Sequence, residues 1–168
     1  MWKTTFATLL FTFGMTPLSR VVIGEPFRLL RTSEVTITDI HGALEAGEIT
    51  CRDLVQTYLD RIEAYDKTGP ALNAIVTINA KALERAAEID VQISHDGITK
   101  PLECIPFIVK DNYDTHDLPT TAGSLSLAES YPPDDAFQVR KIREAGAIVL
   151  AKSNLAEFAF TPYETLSS

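Results

Sequence analysis

The sequence predicts an α/β fold in which helices come first and parallel strands joined by crossover helices follow. Three observations carry that expectation. Two short, continuous apolar runs, Ile105–Val109 (broken only by Pro106) and Ala147–Ala151, have the length and composition of buried strands. Between them lies an amphipathic stretch, Asp135 to Ala145, that ends at Gly146 as a helix would. Upstream of both, helical periodicity with recognisable start and stop residues dominates.

Each element follows from local chemistry. Thr36 or Thr38 supplies a side-chain oxygen for a helix through Ala46, and Gly47 ends it. Thr50 and Asp53 resemble a capping box with Asp in place of Glu, and Leu54, Val55, Tyr58, Leu59 and Ile62 then share one face of a helix reaching about Tyr65. Lys67 to Pro70 breaks the pattern. Ala74–Ile78 is a strand candidate, followed by a helix from Asn79 to about Ile93 that is rich in alanine and glutamate and directs Leu83, Ala86, Ala87 and Ile89 or Asp90 inward. His95-Asp96-Gly97 makes a turn. Strand, crossover helix and strand then imply parallel pairing of the two apolar runs, so that Lys110 and Lys152, which end them, emerge at the same sheet edge. Open α/β sheets place their sites at that edge.

Composition bounds the rest. The chain has 168 residues, 45% of them hydrophobic, which is enough for one core. A net charge of −8 with no basic patch argues against nucleic acid as a partner, since Arg140, Lys141 and Arg143 are offset by Glu144. Residues 1–24 have the order of a secretory leader: Lys3, an apolar and threonine run from Thr4 to Met15, then Pro17, with small residues for cleavage at Ser19 or, preferred, at Gly24. An N-terminal core helix is the other reading of that run. The run is too short to span a bilayer, so the mature chain is expected without a membrane anchor, in the secretory pathway or outside the cell. Residues 25–37 form a linker and 38–168 the folded part. Cys51 and Cys104 can pair in an oxidising compartment, but two cysteines are no framework, and no Asn-x-Ser/Thr sequon is present.

The segment Ile105–Leu127 is the densest in chemistry. Lys110 stands where an apolar strand stops, and a lysine desolvated there can lose its proton and act as a base; a surface lysine closing a strand is the plainer alternative. Asp111, Asp114, His116 and Asp117 are dense enough for a metal, but their spacing fits neither an EF-hand nor a zinc helix, so a solvated acidic loop is expected and no metal or other cofactor. Thr120, Thr121 and Ser124 either hold a substrate or partner side chain or satisfy a turn. Lys152 is expected to face solvent or pair with an acid. His41 and His95 fall on a surface helix and a turn, and Glu157 and Asp66 have no evident partner.

Lys110-Asp111-Asn112, then Asp117 to Ser124, then Ala151 to Phe158 resemble, in order and spacing, the first half of the amidase signature family. The resemblance runs from about Thr38 to the C-terminus. It implies that this α/β unit is the N-terminal part of an amidase-signature-type fold, incomplete by itself. It also implies carboxamide hydrolysis, in which a neutral lysine takes a proton from a serine held by a cis peptide, and that serine deprotonates a nucleophilic serine. Only the lysine carries over, as Lys110, with Asp111 and Asn112 as hydrogen-bonded supports. Both serines belong to a glycine- and serine-rich stretch beyond Ser168. The residues agree: the glycines stand at 14, 24, 42, 47, 69, 97, 123 and 146, no two adjacent, and Ser167-Ser168 is the only serine pair. An oxyanion hole and a strained serine peptide both favour clustered glycines. A chain with the base but no nucleophile is expected to be inactive alone, its substrate in the complete protein a small amide. The other reading is a non-catalytic remnant or binding module of the same half-fold.

Overall fold

The computed structural model describes residues 35–160. The expected leader, residues 1–24, and most of the expected linker lie outside the described residues. Helix α1 (Ile37–Glu45) is opened by Thr36, whose hydroxyl accepts the Asp39 N–H while the Asp39 carboxylate accepts the Thr36 N–H. Helix α2 (Cys51–Ile62) repeats the device with Thr50 and Asp53. The expected face holds: Leu54 and Val55 are buried, and Tyr58, Leu59 and Ile62 pack beside them. Past Ile62 the chain winds through one wider turn, Glu63–Lys67, closed by a hydrogen bond from the Thr68 N–H to the Glu63 carbonyl.

Strand β1 (Ile75–Ile78) leads into helix α3 (Ala82–Asp96), which buries Ala82, Ala86 and Ile89. The helix begins three residues after Asn79 because that residue is otherwise engaged. Its Oδ1 accepts the Lys81 N–H, its Nδ2 donates 2.8 Å to the Val149 carbonyl, and its backbone N–H donates to Leu150. Strand β2 (Pro106–Lys110), helix α4 (Phe137–Glu144) and strand β3 (Ile148–Ser153) complete the fold.

The three strands lie in the order β1-β3-β2. Strands β2 and β3 are parallel, as the crossover requires, with Val109 opposite Lys152 and Lys110 opposite Ser153. Strand β1 differs from the expectation of parallel strands: it runs antiparallel to β3, pairing Thr77 with Lys152. Asn79 sets that direction, since it ties the end of β1 to the early half of β3. The larger core gathers α1, α2 and α3 against Ile148 and Leu150 of β3, and a smaller one gathers Val109, Leu118, Val139 and Val149. Cys51 and Cys104, both fully buried, form a disulfide between the start of α2 and the turn before β2. Among the described residues no helix is long and apolar enough to cross a membrane.

Candidate active site

The C-terminal ends of β2 and β3 meet a loop, residues 111–124, and a returning segment, residues 154–160. Lys110 lies on the edge strand, and its Nζ donates 2.7 Å to the Asn154 carbonyl. Its side chain is exposed, whereas the sequence pattern describes a strand covered on both faces. The reason is topological: β2 pairs with β3 on one side, and among the described residues no strand pairs with its other side. Val109 is buried, but Phe107 and Ile108 remain 36% and 44% exposed. They line a groove of about 280 Å³ together with Lys110, Tyr113 and the α4 residues Gln138 and Ile142.

Lys152 takes the second of its two expected environments: it is paired with an acid, Asp111, and the residue is completely buried. Its Nζ donates to the Tyr113 carbonyl (2.8 Å), Thr120 Oγ1 (2.9 Å), Thr115 Oγ1 (3.2 Å) and the Pro119 carbonyl (3.2 Å). The Asp111 carboxylate lies 3.6 Å away and is equally buried. Burial pushes the Lys152 ammonium below its ordinary pKa, and the charge of Asp111 opposes that shift.

Asp111 is the hydrogen-bonded support that the family resemblance implies; Asn112 is exposed. The Asp111 carboxylate accepts the Thr121 hydroxyl, the Thr121 N–H and the Gly123 N–H. The acidic loop is thus dry at its first carboxylate and solvated only beyond it. Ser124 donates to Glu157, which gives that glutamate a partner the sequence did not reveal. Gly123 is required where it stands: its φ is +72° and a Cβ there would meet the Leu155 carbonyl oxygen at 2.5 Å. Asp66 is also partnered, accepting the Ala74 and Ile75 N–H groups at the entrance to β1. His41 is tied to the Glu103 carbonyl at 2.9 Å, and His95 closes α3.

A second polar cluster joins His116, Asp117 and Asp135, whose ligand atoms lie within 4.8 Å of one another. The cation in their midst is Arg143, 2.5 Å from Asp117 and 3.1 Å from Asp135. His116 donates its backbone N–H to Asp135 and places Nδ1 2.9 Å from the same oxygen. Burial raises the Asp135 carboxyl, yet the His116 hydrogen bonds and the Arg143 charge outweigh it and hold the group below the usual carboxylate range. With two carboxylates already answered by a guanidinium, the cluster acts as a clamp between the loop and α4.

Three comparisons bear on this arrangement. The Amidase family model matches residues 53–167. A putative amidase of Schizosaccharomyces pombe (strain 972) is 41% identical over 127 residues, 75% of this chain and 21% of that protein. One component of the glutamyl-tRNA(Gln) amidotransferase of Heliobacterium modesticaldum is 40% identical over 125 residues, 74% of this chain and 25% of that component. Among solved structures, the native peptide amidase of Stenotrophomonas maltophilia superimposes with a TM-score of 0.72 at 43% identity, covering 75% of this chain and 26% of that one. An amidase family protein from Bacillus anthracis str. Ames gives 0.73 at 31% identity, covering 83% of this chain and 28% of that one. The chain spans about a quarter of the length of these relatives.

Proposed function

Since the chain belongs to the amidase family, we propose that it is the base-bearing N-terminal part of a hydrolase that cleaves carboxamide C–N bonds, with Lys110 as the base. The observation that carries this reading is the position of Lys110. It sits at the C-terminal end of a parallel strand, its backbone fixed and its ammonium resting on a single carbonyl, with an open groove beside it.

The chemistry runs from that position. A lysine accepts a proton only as the free amine, and covering the side of β2 away from β3 would dehydrate Lys110 and favour that form. The amine takes the proton of a serine held by a cis peptide, and that serine takes the proton of the nucleophilic serine. The nucleophile's oxygen attacks the amide carbonyl, and the proton returns to the departing nitrogen as the C–N bond breaks. Water then releases the acyl group. Both serines are assigned to a glycine- and serine-rich stretch following Ser168, so the 168 residues alone are inactive. The substrate is a small amide, and nothing in the reaction calls for a metal or other cofactor.

The test uses two proteins. The 168-residue chain should show no turnover on a panel of aryl and alkyl amides. The chain joined to the glycine- and serine-rich part of a relative should hydrolyse an amide and lose that activity as Lys110→Ala. Turnover by the short chain alone, or activity in the joined protein that survives Lys110→Ala, would overturn the assignment. A non-catalytic binding module is the second reading, favoured by the scattered glycines of this sequence; a joined protein that folds without turnover would support it.

Export is part of the same proposal. The Lys3 start, the apolar run to Met15 and Pro17 support removal of residues 1–24, and the buried Cys51–Cys104 bond fits an oxidising compartment. N-terminal sequencing of protein from a secreting host should find a start near residue 25, and an intact Met1-Trp2 would count against it.

A further inference from the structure

Lys152 is the largest fully buried side chain among the described residues, and the reaction proposed above does not use it. We propose that Lys152 is a positioning residue for Lys110: its ammonium stands in for a bound monovalent cation, and the oxygens it gathers set the end of β2. The inference rests on reading Lys110 as the base.

Five oxygens surround the Lys152 Nζ within 3.6 Å: two carbonyls (Tyr113, Pro119), two hydroxyls (Thr115, Thr120) and the Asp111 carboxylate. An ammonium has three N–H groups, so five oxygens are more than directional pairing needs. They form the kind of oxygen shell that encloses a hard cation. A methionine or leucine would fill the same volume without the cost of burying a charge, but it could not draw polar groups from positions 111 to 120 onto one point.

What those groups hold is the backbone of Lys110. Its carbonyl accepts the Tyr113 N–H at 3.0 Å, and the Tyr113 carbonyl is in the shell. The next N–H, that of Asp111, donates 3.0 Å to the Ser153 carbonyl, and the Asp111 carboxylate is in the shell. The Lys110 ammonium rests on the Asn154 carbonyl, two residues after Lys152. Direct contact between the two lysines is not the route. Val109 is the residue paired with Lys152, so the two share a face of the sheet, and Lys110, one residue on, takes the other. Lys152 therefore acts on the base through the loop, from beneath the sheet, without meeting substrate.

The experiment labels the lysine side chains of the 168-residue chain with 13C and follows the Lys110 methylene signal, assigned by its loss in Lys110→Arg. It also follows hydrogen exchange of the Asp111 amide. Lys152→Met keeps the stem and removes the charge; Lys152→Ala leaves a space that n-propylammonium can refill. Both variants should shift the Lys110 signal as its hydrogen bond to the Asn154 carbonyl is lost, and speed Asp111 exchange by roughly tenfold or more. In Lys152→Ala, n-propylammonium should reverse both changes, while tetramethylammonium, which has no N–H, should not. A folded Lys152→Met with an unaltered Lys110 signal would overturn the proposal, as would equal rescue by tetramethylammonium. If both variants unfold, refolding of Lys152→Ala by n-propylammonium alone supports it, and no refolding overturns it. These signals are independent of amide turnover. A joined protein still active as Lys110→Ala would remove the base assignment while leaving the coupling between the two lysines measurable.

Discussion

Removing the Cys51–Cys104 bond should lower the stability of the isolated chain by about 4 kcal/mol. The two cysteines are 53 residues apart in sequence. In the chain-entropy model, a cross-link closing a loop of that length removes close to 14 cal/mol/K from the unfolded ensemble, or about 4 kcal/mol at 25 °C. Most of the first core lies inside the closed loop: α2, β1 and α3 all fall between the two sulfurs. Opening the loop therefore frees the unfolded chain where the native one is most ordered. The perturbation is the double substitution Cys51→Ala/Cys104→Ala, which keeps small apolar groups at two fully buried positions and leaves no unpaired polar atom. For a chain of this size about 4 kcal/mol corresponds to a fall in Tm of about 8–16 °C. Urea unfolding of the parent, of the parent after reduction and of the double variant separates the link from packing. The reduced parent and the variant should agree with each other and fall below the oxidised parent, with a steeper urea dependence because the unlinked chain exposes more surface. A variant within about 1 kcal/mol of the oxidised parent would refute the reasoning.

Two further outcomes concern the loop. Burial depresses the folded pKa of Lys152 below its ordinary value of 10.5, so the folded state holds that proton less tightly than the unfolded chain. The cost is present in full below the folded value and disappears as pH rises toward 10.5, so the parent should gain stability relative to Lys152→Met across that window; parallel curves would exclude it. Gly123→Ala adds a clash with the Leu155 carbonyl to a φ of +72°, whereas Gly97→Ala has a φ of +71° with nothing within 4 Å. Gly123→Ala should cost about 2–3 kcal/mol and Gly97→Ala about 1, and equal losses in urea would show that the close approach to residues 155–157 is unimportant.

Features encoded within a few residues were legible in the sequence. The capping boxes at Thr36 and Thr50, the inward face of α2 and the parallel pairing forced by the α4 crossover all follow from local spacing. Features decided by distant partners were not. Lys152 ends an apolar run as Lys110 does, and nothing beside it distinguishes the two. What buries it is a loop more than thirty residues upstream that brings four oxygens to its Nζ. Glu157 looked unpartnered because its donor is a serine hydroxyl, and Asp66 because, besides its neighbour Lys67, its donors are two backbone N–H groups, which no charge pattern marks. Lys110 has the exposed position of its plainer reading, a lysine closing a strand, for a related reason. An apolar run specifies a strand that some structure can cover, and does not say that the covering residues lie within the same stretch of chain.

The strand order β1-β3-β2 also governs when the fold can form. Strand β3 sits between the other two, yet it is the last of the three to leave the ribosome. Until Ile148–Ser153 emerges, β1 and β2 lack the one described strand that pairs with each of them, and the Asn79 side chain waits for a carbonyl 70 residues ahead of it. The early helices can coil as they appear, but every sheet contact closes over a long stretch of chain. That makes the sheet late and slow relative to the helices. A nascent chain stopped before Ile148 would carry both apolar strands unpaired, and the arrival of six residues would convert it into a sheet.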